Sequence, residues 1–291
     1  MNTHHIILGD CIEGMKTLSD KCVQTCITSP PYFGLRSYDG GDTEIGQEDT
    51  VDGYVQKMVE VFREVRRILR DDGTLWLNLG DSYARNGGGV DSMRNTIHKM
   101  KVGQKATYLA GGMRSITKVP DGLKSKDLIG IPWRVALALQ ADGWYLRQDI
   151  IWSKPNPMPE SVADRCTKSH EYIFLLSKKP HYYYDHEAVK EPAVYGQEKK
   201  NKRSVWTVNA KGYKGAHFAV YPENLILPCV LAGCPQDGTV FDPFTGSGTT
   251  AVVALKNGRN YIGTELNPEY IKIAEARIKE SVPQTLEEIF E

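Results

Sequence analysis

Two short segments of the 291-residue chain carry residues whose types and spacing could do chemistry. The first is Ser29-Pro30-Pro31-Tyr32. Consecutive prolines hold φ near about −65° and remove two N–H donors, so the turn is stiff and its carbonyls project without local partners. The Ser29 hydroxyl and the Pro30 carbonyl then form a rigid pair of acceptors, suited to a group that donates two hydrogen bonds, such as an amino group. Tyr32 offers a face on which a flat ring could stack. A Pro-Pro turn by itself is usually only a stiffened surface turn. Its pairing with the second segment gives it weight.

That second segment runs Asp242-Pro243-Phe244-Thr245-Gly246-Ser247-Gly248-Thr249-Thr250-Ala251. It leaves an apolar run and opens a helical one, and Gly246 and Gly248 let the backbone approach a ligand where a Cβ would collide. Glu265 ends the next apolar run, where its carboxylate could accept hydrogen bonds from ribose hydroxyls, so the order suits an adenosine cofactor. Taken alone the turn also fits the dinucleotide fingerprint, which would make the chain a nicotinamide-dependent oxidoreductase. A dinucleotide places its pyrophosphate at the helix N-terminus, and the Asp242 carboxylate would repel it there. Ser29–Tyr32 has no role in that reading.

Other reactive side chains weigh less. Cys229 follows Pro228, the context a thiolate attack on a ring carbon would use, but Leu225, Ile226, Leu227, Val230 and Leu231 surround it. Aliphatic surroundings raise a thiol pKa, so packing explains Cys229 better. Asp81, after an apolar run, either faces a pocket or caps the next segment. His170-Glu171 either supports a pocket or is a surface pair. Trp133, Trp144, Trp152 and Trp206 read as core or rim packing. The basic run at residues 199–203, with Lys202 and Arg203, would ordinarily be a solvated face, with phosphate contacts the favoured reading here.

The elements that must position these residues alternate between strand and helix. Residues 5–8 and 23–28 are short apolar runs of strand type. Val55, Met58, Val59, Phe62, Val65 and Leu69 recur at helical spacing, which predicts an amphipathic helix over 52–69, stopped by Asp71-Asp72-Gly73 before a strand at 74–79. Pro132 opens a helix ending near Gly143, and strands follow at 145–152 and 171–176. A strand at 239–241, a helix at 248–256 and a strand at 260–264 form one βαβ unit, and Pro268 opens a last helix to about Lys279. This rhythm predicts a mostly parallel sheet with ligands at the strands' carboxyl ends, where both chemical segments fall. Residues 84–126 lack periodicity and are expected to form a mobile loop near the active site. Residues 178–217, rich in Tyr, Lys and Gly, read as an insertion.

Taken together, Ser29–Tyr32 and Phe244–Gly248 resemble the two signatures of the DNA amino-methyltransferases, Asp/Asn/Ser-Pro-Pro-aromatic and Phe-x-Gly-x-Gly. The catalytic signature comes first, as in the permuted β group of that family. The resemblance covers nearly the whole chain. It implies an α/β fold, Rossmann-like, with a mostly parallel seven-stranded sheet, helices on both faces and one catalytic domain over 1–291. It implies S-adenosyl-L-methionine as cofactor, held by Asp10, Cys11, Phe218, Ala219, Pro222, Asp242, Phe244, Thr245, Gly246, Ser247, Gly248, Thr249, Glu265 and Leu266. Ser29, Pro30, Pro31 and Tyr32 would be catalytic, acting on a flipped base in double-stranded DNA. The context around Tyr32 through Arg36, with Asp164-Arg165 downstream, is similar to the N4-cytosine members, and adenine N6 is the rival target. Residues 178–217 would then recognise the target sequence, with Arg36, Asp81, Asp164, Arg165, His170, Lys202 and Arg203 as DNA contacts.

The bulk composition is compatible with this. Lysine plus arginine and aspartate plus glutamate number 36 each, so a phosphate-binding surface would have to come from local clusters such as 93–126 and 199–214. The longest apolar runs are too short to span a bilayer. The 6 cysteines lack zinc or disulfide-frame spacing and read as reduced thiols of a cytoplasmic protein, with no metal site. A cognate restriction endonuclease acting separately is a possible partner, and the chain leaves monomer and homodimer equally open.

Overall fold

The computed structural model describes residues 2–34, 44–84, 119–193, 198–210 and 221–282. Arg36, Phe218, Ala219 and most of the loop expected over 84–126 lie outside them. In chain order the elements are β1 (His4–Leu8), α1 (Cys11–Lys16), β2 (Val23–Thr28), α2 (Val51–Ile68), β3 (Leu69–Leu79), α3 (Ile131–Ala141), β4 (Tyr145–Ser153) and β5 (His170–Ser177). They continue with β6 (Glu191–Pro192), β7 (Lys199–Lys200), β8 (Val205–Thr207), α4 (Glu223–Gly233), β9 (Thr239–Asp242), α5 (Thr249–Lys256), β10 (Asn260–Glu265) and α6 (Pro268–Ser281).

The main sheet has the order β1-β10-β9-β2-β3-β5-β4-β8, and β6 and β7 form a separate two-stranded ribbon. The five strands from β1 to β3 are all parallel, β5 runs antiparallel to both neighbours, and β8 is parallel to β4. The sheet therefore has eight strands among the described residues, one more than the resemblance implies. The extra strand comes from the stretch read as an insertion: Val205, Trp206 and Thr207 pair with Ile151, Trp152 and Ser153.

Alternate side chains along the central strands feed two cores, as a sheet covered on both faces requires. Leu75 and Leu77 of β3, Phe174 of β5 and Phe241 of β9 pack with α2 and α3. Trp76, Ile173 and Val240 point the other way and pack with α4 and α5. Helix α2 follows its sequence closely: Tyr54, Met58, Val61, Phe62, Val65 and Ile68 are all fully buried, and Thr50 caps the N-terminus by accepting from the Gly53 amide at 3.0 Å.

The helix stop differs from the prediction. The chain leaves α2 directly into β3 at Leu69, and Asp71-Asp72-Gly73 lies inside the strand. Val23 pairs with Leu69 but Thr25 pairs with Thr74, so residues 70–73 form a bulge against β2. A Cβ on Gly73 would come within 2.9 Å of the Gln24 carbonyl, which explains glycine there.

Candidate active site

The carboxyl ends of β1, β10, β9 and β2 lie side by side, and the segments singled out for chemistry leave those ends. Gly246 (φ +52) and Gly248 (φ +78) both adopt the left-handed conformation that a side chain disfavours. A Cβ on Gly248 would lie 2.8 Å from Ala274 Cβ, so this glycine also lets α6 close on the turn. Arg277 of α6 clamps the same turn, donating to the Ser247 carbonyl at 2.8 Å, Ser247 Oγ at 2.9 Å and Thr249 Oγ1 at 3.0 Å. Thr245 is held by the Thr264 carbonyl through its amide at 3.0 Å and by the Tyr261 hydroxyl at 2.8 Å. Phe244 and Gly246 alone among residues 241–250 stay partly exposed, which leaves them facing outward for a ligand.

Glu265 sits beside them at the end of β10. Its carboxylate accepts from the Gly246 amide at 2.7 Å and the Asn267 amide at 2.9 Å, and the Leu266 amide adds to this; burial raises its pKa. At the neighbouring end of β1, the Gly9 amide donates to the Glu265 carbonyl at 2.9 Å. Gly9 (φ +137) faces open space, since nothing lies within 4 Å of where its Cβ would be. Asp10 caps α1 through one carboxylate oxygen, Oδ1, which accepts from Ile12 at 2.9 Å and Glu13 at 3.0 Å. Cys11 is buried, and burial with the Asp10 charge pushes its thiol up to about 12, so it stays a neutral thiol. Two carboxylates at adjacent strand ends, over backbone with open space above Gly9, fit the hydroxyl-rich, phosphate-free end of S-adenosylmethionine.

Asp242 has a different task from the ligand contact expected of it. It is 1% exposed, and its carboxylate accepts from Thr28 Oγ1 at 2.7 Å, the Phe244 amide at 3.0 Å, Thr250 Oγ1 at 2.6 Å and the Tyr221 hydroxyl at 3.2 Å. Burial raises its pKa, and these donors oppose the rise. The Thr28 bond ties the residue before Ser29 to the root of the glycine turn, so Asp242 joins the two chemical segments. Pro222 stands at the N-terminus of α4, next to Tyr221.

The Ser29–Tyr32 turn is held from below. Tyr54, fully buried in α2, donates its hydroxyl to the Pro31 carbonyl at 2.9 Å. Among the described residues nothing donates to the Pro30 carbonyl, the acceptor expected to meet an amino group. Tyr32 donates its hydroxyl to Glu171 Oε2 at 2.8 Å, and Ser29 also hydrogen-bonds it. Burial and the Glu171 charge hold the phenol well above its usual pKa, so it stays a neutral donor. Its ring lies on Gly80, where a Cβ would sit 2.6 Å from Tyr32 Cε2. Glu171 and Gly80 thus both meet Tyr32. Sequence alone leaves Glu171 open between pocket and surface, and it gives no signal for Gly80.

Several residues expected to contact DNA have partners within the chain. Asp81 accepts from the Gly130 and Ile131 amides at 3.0 and 3.2 Å, so it caps α3, whose own cap residue Gly130 has no side chain. Asp164 pairs with Lys126, and Arg165 lies over the Tyr83 ring at 3.8 Å while donating to Glu160. His170 meets the edge of Tyr172. Lys202 sits 5.0 Å over Trp206 and Arg203 donates to Glu191 at 2.8 Å, both beside β8 at the far edge of the sheet from β1. Cys229 is 1% exposed, and burial pushes its thiol far up, as packing predicts. All 6 cysteines are free thiols. Among the described residues no helix is long and apolar enough to cross a membrane, and no His/Cys/Asp/Glu cluster could hold a metal ion.

The chain matches the family model for N6/N4 DNA methylases over residues 23–276. It is 52% identical over 274 residues to the Type II methyltransferase M.SmaI of Serratia marcescens, covering 94% of this chain and 90% of that one. It is 47% identical to M.Cfr9I of Citrobacter freundii, covering 96% and 89%. Its fold is similar to PvuII DNA methyltransferase (cytosine-N4-specific), with a TM-score of 0.69 and 18% identity over 100% of this chain and 90% of that one. It is also similar to a putative DNA modification methylase from Thermus thermophilus complexed with S-adenosyl-L-methionine, with a TM-score of 0.66 and 21% identity over 97% and 96%. The nicotinamide-dependent alternative is thereby set aside, and the chain belongs to the N6/N4 DNA methylase family, whose members use S-adenosylmethionine.

Proposed function

We propose that this DNA methyltransferase modifies the exocyclic N4 amine of a cytosine flipped out of duplex DNA, at one recognition sequence. The observation that carries the reading is the Ser29–Tyr32 turn. It leaves β2 one residue after Thr28, which Asp242 ties to the glycine turn, and Tyr54 fixes the Pro31 carbonyl. Serine at its head and the similarity in fold to a cytosine-N4-specific methyltransferase favour cytosine over adenine.

The N4 lone pair is conjugated with the ring and is a poor nucleophile. Hydrogen bonds from the amine to Ser29 Oγ and the Pro30 carbonyl favour a pyramidal nitrogen whose lone pair is free. S-adenosylmethionine, when bound, supplies an electrophilic methyl on its sulfonium. Held in line, two bound reactants gain a large part of the barrier through orientation alone. The proton leaves once nitrogen is cationic, so no strong base is needed first. Flipping costs a few kcal/mol, which stacking on the Tyr32 ring offsets.

Residues 178–217 are assigned to target recognition, with Lys202 and Arg203 on DNA phosphates beside β8. The whole chain is assigned as one catalytic domain. The Type II relatives favour a cytoplasmic role in protecting DNA from a separate restriction endonuclease. Incubating the protein with labelled S-adenosylmethionine and mixed-sequence duplex, then digesting to nucleosides for mass analysis, tests the base. N4-methylcytosine is expected; N6-methyladenine would move the same chemistry to the other base and refute the cytosine assignment.

A further inference from the structure

We propose that Glu171 is a positioning residue for methyl transfer: fixed by Lys154, its carboxylate tethers the Tyr32 hydroxyl and so sets the plane of the ring that meets the target base. The inference rests on the reading of Tyr32 as the base-stacking face.

Three strands converge on this carboxylate. Glu171 lies at the start of β5, Lys154 directly after β4 and Asn78 near the end of β3. Oε1 accepts from Lys154 Nζ, and the two side chains are only 16% and 18% exposed. Oε2 accepts from the Tyr32 hydroxyl at 2.8 Å and from Asn78 Nδ2 at 3.3 Å. Asn78 is itself held by donating to the Tyr172 carbonyl at 3.0 Å, and Lys154 rests 4.0 Å over the Trp152 ring. Lys154 and Asn78 therefore each have a second anchor, so the carboxylate cannot drift without breaking other contacts.

Gly80 completes the arrangement. A Cβ there would meet Tyr32 Cε2 at 2.6 Å and the Glu171 carboxyl carbon at 3.3 Å. One side of the phenol ring is thus pressed on bare backbone while its hydroxyl is tied to a charged acceptor. Such a bond is stronger than a neutral one and defines direction as well as distance. Merely satisfying a buried phenol would need one acceptor. Here the acceptor is charged, paired to a lysine and braced by an asparagine, which is what a ring of defined orientation requires.

A double-mutant cycle separates positioning from packing. Glu171→Gln, Tyr32→Phe and the double variant are compared for folding midpoint, S-adenosylmethionine dissociation constant and single-turnover methyl transfer. The fluorescence of a base analogue at the target position is measured alongside. Each single variant should slow transfer by about tenfold or more with cofactor affinity unchanged. The double variant should be no slower than the slower single, and all three should alter the analogue signal. Wild-type rates in both single variants, or losses that multiply in the double, would overturn the proposal. Tyr32→Phe removes a single oxygen, so it keeps the test valid if Glu171→Gln fails to fold. Tyr32→Ala separates the premise: a slow Ala variant beside a wild-type Phe variant refutes the tether alone, whereas a wild-type Ala variant refutes the stacking role itself.

Discussion

The two halves of the site are built in opposite ways. The cofactor half, from β9 through β10, is local: its turn, helix and acid follow one another within 242–265 and are shaped by backbone, through two glycines at positive φ and a carboxylate taking amide donors. The half proposed to be catalytic is assembled across the sheet. Tyr32 follows β2, Gly80 follows β3, Lys154 follows β4 and Glu171 opens β5, with Tyr54 coming from α2. Backbone geometry leaves a signature in consecutive residues, whereas a side-chain network leaves none. The difference also predicts different failures: damage to the first half should show in stability and cofactor affinity, and damage to the second in the rate alone.

Substitutions can break that contrast. Gly80→Ala puts a methyl where the Tyr32 ring lies, and misplacing a reacting group by about 1 Å can cost on the order of a hundredfold in rate. Single-turnover transfer should fall by that order while cofactor binding, followed by titration calorimetry, stays within about twofold. A weakened cofactor affinity would show the halves to be one unit. Asp242→Asn strikes the joint between them. An amide nitrogen would confront donors that now meet a carboxylate, at a cost of about 1–3 kcal/mol, so thermal unfolding should shift down and both affinity and rate should suffer. Loss of rate alone would contradict its role as a brace. The smallest effect belongs to Cys229→Ala, in the apolar helix α4. Methyl transfer should remain near the wild-type rate, and a dead variant would reopen thiol chemistry.

Legibility from sequence follows the same division. Helix α2 and the βαβ unit of β9, α5 and β10 are readable because amphipathic spacing and glycine-to-helix punctuation are local signals. Helix α4 escapes such reading: it is apolar on nearly every side and carries Pro228, so no periodicity marks it. Strand β8 is three residues long and owes its existence to pairing with β4. The Asp71-Asp72-Gly73 stretch reads as a turn, yet the neighbouring strand absorbs it as a bulge. In the candidate site, motif and order single out Ser29–Tyr32, Gly246, Gly248 and Glu265. Asp81 is an even choice between pocket and cap because its role depends on Gly130, 49 residues on, lacking a capping side chain. Gly80 carries no signal, since its glycine is required by a ring that arrives from another strand.

The most direct test of the account is single-turnover methyl transfer by Ser29→Ala, with cofactor affinity measured on the same preparation. The account predicts a loss on the order of a hundredfold in rate with S-adenosylmethionine affinity unchanged, because Ser29 meets the amine and lies outside the glycine turn. Transfer at close to the wild-type rate would contradict it and remove the Ser29–Tyr32 turn from the centre of the reaction.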